Sequence, residues 1–581
     1  METESRNPAA PAPAAIVDER QRDRRTALFS GIVLVAITAI PYLVGSSLAR
    51  SDPAGTVFLG LTNNFPDNCV YGAWMREASE GHLLHRNLFT TIPQEPHHFH
   101  LLFFLLGTLN ALLDWAPGNV LFAARLILGV LFLRQLWWFL ELVVADRSSR
   151  WAAYGCVCLS SGLGWLVLLL GFNPEASVDT WQPEALTFLS LYANPLMILA
   201  LTLMISALGF LIRAERTGAY RDAVYAGLCA CVLGNIHTYD ICPLVLSWGI
   251  FLVVRDAARR RVDWTSWLRA LIAGGIAAIS TLHIVYLLRT DKLFAFRASV
   301  MTLSPSPLAY VLGYGFVLLL AIGGIVLAWR QRKTAATAPE YLRPELALFL
   351  AVWLVVNLAT AYFPVSFQRR MIMGAHIPMA ILAGYALCVA FRGLTVRGRN
   401  IALAAALFVL SFSNLWYLGR DTLQLAHNQT ESSYRASVFP GELSALAWIR
   451  DRAPKGASVQ PLPWVFFVQA RCLVDDSTLL PYTPAMTGHP VNVGHRGESP
   501  GYPETLGNWI RFLYPGSTDD FRIALLRKTG VRYLLYSQKR ERPGPTGGLR
   551  PTVFDTTPPY LKLIPEASNP DADVYEVVVA P

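Results

Sequence analysis

The chain has 581 residues, 53% of them hydrophobic and only 15% charged, whereas soluble domains carry roughly a quarter charged residues. That depletion, with a mean hydropathy of +0.38, excludes an ordinary soluble protein. The formal net charge of +9 does not point to nucleic acid, because the cations sit in short loops between apolar runs, the positive-inside pattern of an inserted protein.

The first 26 residues are rich in Pro and Ala and then charged, with Arg20, Arg22, Arg24 and Arg25 ahead of the first apolar run. They are expected to form a disordered cytoplasmic tail. Residues 27–49 are too long for a signal-peptide core and long enough to span, so they read as a retained helix with its N-terminus inside. Residues 50–118 form a first outer loop, whose last part, 98–115, reads as a short juxtamembrane or re-entrant helix. Further spans are expected at 120–144, 152–172, 186–212, 223–236, 241–254, 267–288, 308–329, 346–363, 374–391 and 401–418. That makes about eleven crossings, each a helix that satisfies its own backbone in the bilayer.

Arginine placement supports this threading. The inner loops hold Arg147 and Arg150, then Arg213, Arg216 and Arg221, then Arg255, Arg259, Arg260 and Arg261. Later inner loops hold Arg330, Arg332 and Lys333, then Arg392, Arg397 and Arg399. The outer loops are poorer, with Arg289, Lys292, Arg297, Arg369 and Arg370 as their main cations. The same threading puts the membrane domain at 27–418 and leaves residues 419–581 outside. That last segment has helical periodicity at 442–451 and 521–528. Strand-like runs lie at 457–460, 464–468, 531–536 and 573–579, and a turn-rich loop at 543–548. The expected fold class is a polytopic α-helical membrane protein with a C-terminal soluble α/β domain.

The eight cysteines form no disulfide framework. Cys69 and Cys472 fall in outer segments, but no spacing argument joins them. Cys156 and Cys158 lack the second pair that a zinc site needs. Asn428-Gln429-Thr430 matches a glycosylation sequon, a short and weak signal.

Polar groups are costly in a membrane protein, so their clustering on the outer side is informative. The first outer loop runs Asn63-Asn64-Phe65-Pro66-Asp67-Asn68-Cys69-Val70-Tyr71-Gly72 and ends in Glu95-Pro96-His97-His98-Phe99-His100. An acid followed by Tyr and a small helix ending in Gly resembles the C-type (GT-C) glycosyltransferases. The Pro-His-His-Phe-His stretch sits where O-mannosyl- and aminoarabinose-type transferases carry Lys-Pro-Pro-Leu. Arg125-Leu126 is similar to their Arg-Leu pair. The resemblance covers roughly residues 27–418 in architecture and only short patches in motif. It departs in one respect: Asp67 has no second carboxylate beside it, which puts metal dependence in question.

The resemblance implies transfer of a sugar from a polyprenyl-phosphate-linked donor at the outer leaflet. One carboxylate at the membrane face can deprotonate the acceptor hydroxyl, so Asp67 is the candidate base; the alternative is that it caps the helix beginning near Cys69. Glu184 and Asp179, in the second outer loop, are candidate supporting acids, although Glu184 behind Pro183 also suits a helix dipole. Arg369 and Arg370 form a guanidinium fork suited to phosphate or a pair snorkelling to headgroups, and Arg125 could assist them. Tyr71, His237, Tyr239 and Asp240 are candidate substrate contacts, or, for the last three, a mutually bonded turn. Glu95, His97, His98 and His100 could hold zinc or manganese, or form an interfacial patch; no other cofactor is implied. Gly488-His489-Pro490 and Gly494-His495 read as loop residues with an acceptor-side role. The expected partners are the lipid-linked donor and membrane lipids, and the expected location is a bacterial inner membrane with the C-terminal domain extracytoplasmic. A transporter or flippase of lipid-linked saccharide, and a non-catalytic membrane scaffold, are the alternatives.

Overall fold

The computed structural model describes residues 13–53, 55–334, 342–426, 436–468, 471–475, 478–537 and 553–579. The Asn428 sequon, the 543–548 loop and the side chain of Cys472 lie outside the described residues, and Cys69 is a buried free thiol. Helix α1 (Pro13–Thr38) begins upstream of its expected start, so residues 13–26 continue the membrane helix instead of forming a disordered tail. Some of the charges that suggested a solvated tail are paired: Asp23 meets Arg147 at 2.6 Å and Arg24 meets Glu141 at 2.6 Å. The helix breaks at Ala39, ahead of Pro41, which cannot donate to the ladder, and α2 (Ile40–Ser51) completes the crossing.

Strand β1 (Val57–Phe58) and helices α3 (Phe65–Ser79) and α4 (Leu101–Leu113) follow, α4 being the expected juxtamembrane helix. Next come α5 (Pro117–Val143), α6 (Arg147–Leu159), α7 (Gly164–Leu169), α8 (Thr187–Ala193), α9 (Pro195–Thr217), α10 (Tyr220–Ile236) and α11 (Ile241–Arg259). The membrane part ends with α12 (Trp264–Thr290), α13 (Lys292–Ser299), α14 (Pro307–Thr334), α15 (Pro344–Thr360), α16 (His376–Ala390), α17 (Val396–Leu410) and α18 (Phe412–Ala426).

Among the described residues, eight helical stretches are long and apolar enough to cross a membrane, and α17–α18, bent by 48°, brings the number to nine. The other two expected spans correspond to α10 and α15, 17 residues each, only about 25 Å long at 1.5 Å per residue. Two expected spans are interrupted. The crossing expected from residue 186 starts at Pro195, because Asn194 caps it, its side-chain oxygen accepting the Met197 N–H at 3.0 Å; the preceding residues form the separate, buried α8. The crossing expected at 152–172 breaks between α6 and α7, where the backbones of Gly162 and Gly313 approach so closely that a Cβ on Gly162 would lie 2.2 Å from the Gly313 carbonyl oxygen. Gly315, at φ 46°, kinks α14 beside this contact.

The C-terminal part contains β2 (Ser437–Val438), α19 (Pro440–Arg452), β3 (Val459–Pro461), β4 (Trp464–Val468), β5 (Arg471–Asp475), α20 (Leu479–Thr487), α21 (Tyr502–Leu513), α22 (Asp519–Thr529), β6 (Tyr533–Ser537), β7 (Leu561–Leu563) and β8 (Ala572–Val577). Its main sheet has the order β3-β6-β8-β7, with β3 parallel to β6 and the other pairs antiparallel. The molecule is thus a polytopic helical membrane protein with a C-terminal α/β domain. That domain does not stand apart from the first loop. Phe65, Cys69 and Ala73 of α3 share one core with Leu446, Leu479, Tyr482 and Val574, and β1 pairs antiparallel with β2, Val57 opposite Val438. Helix α4 closes the other flank of α3, and a Cβ at Gly107 would lie 2.3 Å from the Met75 carbonyl oxygen.

That contact makes a test. Gly107→Ala should destabilise the protein by about 1–3 kcal/mol through overpacking, read as a lower melting temperature in detergent. Gly274→Ala, in α12 with open space around it, should leave melting unchanged or raise it, because Ala favours a helix over Gly.

Candidate active site

A cavity of ≈ 680 Å³ opens where α3, the α10–α11 turn, the 367–370 segment and the C-terminal-domain loop 495–498 meet. Its walls are of two kinds. One end is polar, with Asp67, Glu184, His237, Arg370 and His495; the other runs down α11 and α12 along Val245, Leu246, Ile284, Val285 and Leu288. Burial of apolar area and a few placed polar groups together are the usual composition of a ligand site.

Asp67 does not cap its helix: α3 starts at Phe65 after Asn64, and Asp67 lies inside the first turn. Its side chain keeps 38% of its surface accessible and lines the cavity. Asp67 Oδ1 accepts a hydrogen bond from His495 Nε2 at 3.1 Å. The other ring nitrogen, Nδ1, accepts the Gly497 N–H at 3.1 Å, which assigns the proton to Nε2. Burial alone would raise the Asp67 carboxyl, but the His495 ring and then the Arg370 guanidinium outweigh it and hold the group well below the usual 3.8. Asp67 is therefore a carboxylate over the whole physiological range.

The arginine pair is split between two partners. Arg370 Nη1 donates to the Tyr239 hydroxyl at 2.9 Å, and its guanidinium lies 4.9 Å from that ring's centre. Arg369 approaches Glu184 Oε1 at 3.7 Å and lies over the Trp181 ring at 5.2 Å. Glu184 Oε2 is buried with no hydrogen-bond partner among the described residues. His237 Nδ1 lies 2.9 Å from Asp240 Oδ2, so Asp240 sits behind His237 and holds it while His237 and Tyr239 face the cavity. Tyr71 stacks on Phe103 at 4.5 Å and lines the same wall; burial raises its hydroxyl far above the usual value.

Three groups of expected residues do not serve as anticipated. Asp179 is fully buried and faces away from the cavity. Its Oδ2 accepts the Gly162 and Gly164 N–H groups, both at 3.0 Å, and its Oδ1 accepts the Ser177 hydroxyl at 2.5 Å. It pins the α6–α7 break, and burial raises its carboxyl. Arg125 is also buried inside the helix bundle. It donates to Thr38 Oγ1 at 2.9 Å and packs 4.7 Å from the Tyr42 ring centre, tying α5 to the α1–α2 break.

The expected metal set, Glu95, His97, His98 and His100, is not assembled. Among the described residues no three His, Cys, Asp or Glu side chains converge as metal ligands. Glu95 is exposed, and His97 turns to Asp291 at 3.7 Å. His98 and His100 instead line the cavity around Trp74. Burial lowers both rings, His100 to about 3, so they are neutral.

Other cavity groups carried little sequence signal. Glu498 pairs with Arg297 at 2.8 Å, and Arg297 lies 4.6 Å over Trp74. Arg297 stood out only as one of the few cations outside the inner loops. The pairing of His495 with Asp67 had no signal, since the two are 428 residues apart.

No protein-family model and no curated protein sequence matches the chain. Solved structures resemble it in architecture. Archaeal oligosaccharyltransferase AglB from Archaeoglobus fulgidus, in complex with an inhibitory peptide and a dolichol-phosphate, gives a TM-score of 0.49 at 14% identity, over 87% of this chain and 70% of its own. Arabinofuranosyltransferase AftD from Mycobacteria gives 0.49 at 16% identity over 93% of this chain, which spans 40% of AftD. ArnT from Cupriavidus metallidurans, bound to undecaprenyl phosphate, gives 0.46 at 17% identity over 94% of this chain and 97% of its own.

The hydrogen bonds of Asp179 predict a structural phenotype. Asp179→Ala leaves two buried N–H groups unpaired and should cost about 2–4 kcal/mol. A thermal melt and the folded yield in detergent would fall together, ahead of any change specific to chemistry.

Proposed function

We propose that the protein is an integral membrane glycosyltransferase of the GT-C kind that moves a sugar from a polyprenyl-phosphate carrier to an acceptor at the outer face, where the C-terminal domain lies. The observation that carries this reading is the two-ended cavity: an apolar lining on α11 and α12 adjoins a charged one that includes Asp67, Arg369 and Arg370. A lipid phosphate needs both ends, and a bidentate guanidinium is the strongest partner a phosphate finds in a protein. The first-loop resemblance supports the same reading.

In the proposed step the acceptor oxygen attacks the anomeric carbon as the bond from that carbon to the carrier phosphate oxygen breaks. The acceptor proton goes to the Asp67 carboxylate, and the carrier phosphate leaves with its new charge facing Arg370 and Arg369. Preorganised cations at a developing charge lower a barrier without reorganising. Glu184 holds Arg369 in place.

The depressed Asp67 makes a poor base before a donor binds, because a general base works best near the operating pH. A donor phosphate drawn to Arg370 cancels one of the influences that depress it. Donor binding would therefore raise the basicity of Asp67, leaving the carboxylate most reactive only when a sugar is present. His495 supplies the largest of these influences and fixes the direction of the Asp67 side chain.

Two outcomes follow for purified protein in lipid, assayed with a panel of polyprenyl-phosphate sugars. Asp67→Asn should lower kcat by about 10²–10⁴-fold, and Arg370→Ala should act mainly on donor KM. No transfer from any donor by folded wild type would overturn the reading in favour of a transporter or scaffold.

The pH dependence has a definite sign. Removing the His495 hydrogen bond destabilises the carboxylate, so His495→Ala raises the Asp67 pKa. The acid limb of kcat/KM should then move to higher pH than in wild type, where Asp67 loses its charge only below the usual 3.8. An unmoved acid limb would remove His495 from the account.

A further inference from the structure

A second cavity, of ≈ 590 Å³, lies at the far ends of the same helices. Met197 of α9 and Ile241 of α11 line the first cavity, while Arg216 of α9 and Arg255 of α11 line the second. The polar groups of the two cavities sit towards opposite ends of α11, whose 19 residues span about 28 Å, close to the thickness of a hydrocarbon core. Aromatic residues mark this end as a membrane–water boundary: Trp264, at the start of α12, is 77% exposed, and Tyr220, at the start of α10, is 43% exposed.

The charges of this second cavity are unevenly paired, the carboxylates gathering at Arg255, which Asp263 also approaches at 3.9 Å. Arg255 is matched by Glu215 at 2.9 Å and Asp256 at 3.0 Å, and Arg259 is matched by Glu345. Arg216 and Arg343 have no carboxylate partner among the described residues. Among the described residues Arg216 donates to the Leu142 carbonyl, and its guanidinium shares the lining of this cavity with that of Arg343. Like charges held together beside an apolar wall are stabilised when an anion bridges them. Its apolar lining is Ala258, Pro344 and Leu348, over the buried aromatic residues Trp248, Phe251 and Phe349.

We infer that this cavity is a binding site for the phosphate of an anionic phospholipid, bridged by Arg216 and Arg343, with an acyl chain against the apolar residues Ala258, Pro344 and Leu348. The shared chemistry is a phosphate anion; the apolar wall and the position at the membrane boundary commit it to a lipid source. The site is independent of sugar transfer, so neither reading depends on the other.

The test uses the full chain in detergent micelles, titrated with phosphatidylglycerol or phosphatidylcholine and followed by thermal unfolding. Phosphatidylglycerol should raise the melting temperature of wild type and phosphatidylcholine should not. Arg216→Gln with Arg343→Gln should weaken the apparent affinity for phosphatidylglycerol roughly tenfold, the loss expected for charge-assisted hydrogen bonds. Arg221→Gln with Arg261→Gln, two exposed arginines outside this cavity, should keep the wild-type response. Equal responses to the two lipids, equal losses in the two double variants, or the same shift from inorganic phosphate alone would each overturn the proposal. If the first double variant does not fold, lipid retention by wild type in native mass spectrometry decides: preferential retention of phosphatidylglycerol supports the site, and equal retention overturns it.

Discussion

A carboxylate at the mouth of a membrane cavity stays charged only if other groups hold it there, and Asp67 is held from two directions. His495 reaches it from the C-terminal domain at 3.1 Å, and the Arg370 guanidinium acts on it from the end of the membrane bundle. The rest of the site depends on this arrangement. Without the C-terminal domain the cavity loses His495, Gly497 and Glu498 from its wall, and Asp67 loses the hydrogen bond that directs its carboxylate. The domain is in that sense a wall of the site.

The packing explains how such a contact survives between distant parts of the chain. Helix α3 shares its core with α19, α20 and the sheet, and β1–β2 ties the two segments by main-chain pairing. Apolar burial fixes the relative position of the two parts, and the Asp67–His495 hydrogen bond then adds direction. A net contribution of about 1–3 kcal/mol for a hydrogen bond to a charged group is too small to hold a domain alone. Above the usual carboxylate value of 3.8 that contribution is fully present, and it is lost only as pH falls through the depressed folded value.

Much of the architecture was legible because the bilayer imposes a length and a composition on each crossing. The clustering of Asp67, Glu184, His237, Tyr239, Arg369 and Arg370 at one end of the bundle was legible for the same reason, since polar groups inside a membrane protein gather where function or water needs them. Helix breaks were harder: Asn194-Pro195 is a start signal hidden inside an apolar run, and α20 carries Pro481 and Pro484, which argue against a helix. Asp179 and Glu184 could not be told apart, because both are acids beside turn residues and only the fold shows which one faces the cavity. The histidines of 97–100 had ligand chemistry in sequence, but extended backbone sends His97 and His98 in different directions. His495 was visible only as a loop residue, because nothing local records a partner 428 positions away.

The central claim is that one amphipathic cavity takes a lipid phosphate, head at the arginines and tail between α11 and α12. Photo-crosslinking with a polyprenyl phosphate carrying a diazirine in its tail tests this most directly, with labelled residues read by peptide mass spectrometry. The account predicts labelling around Val245, Val285 and Leu288, reduced when Arg370 is replaced by Ala. Labelling confined to other faces of the bundle, or unchanged by Arg370→Ala, would contradict it.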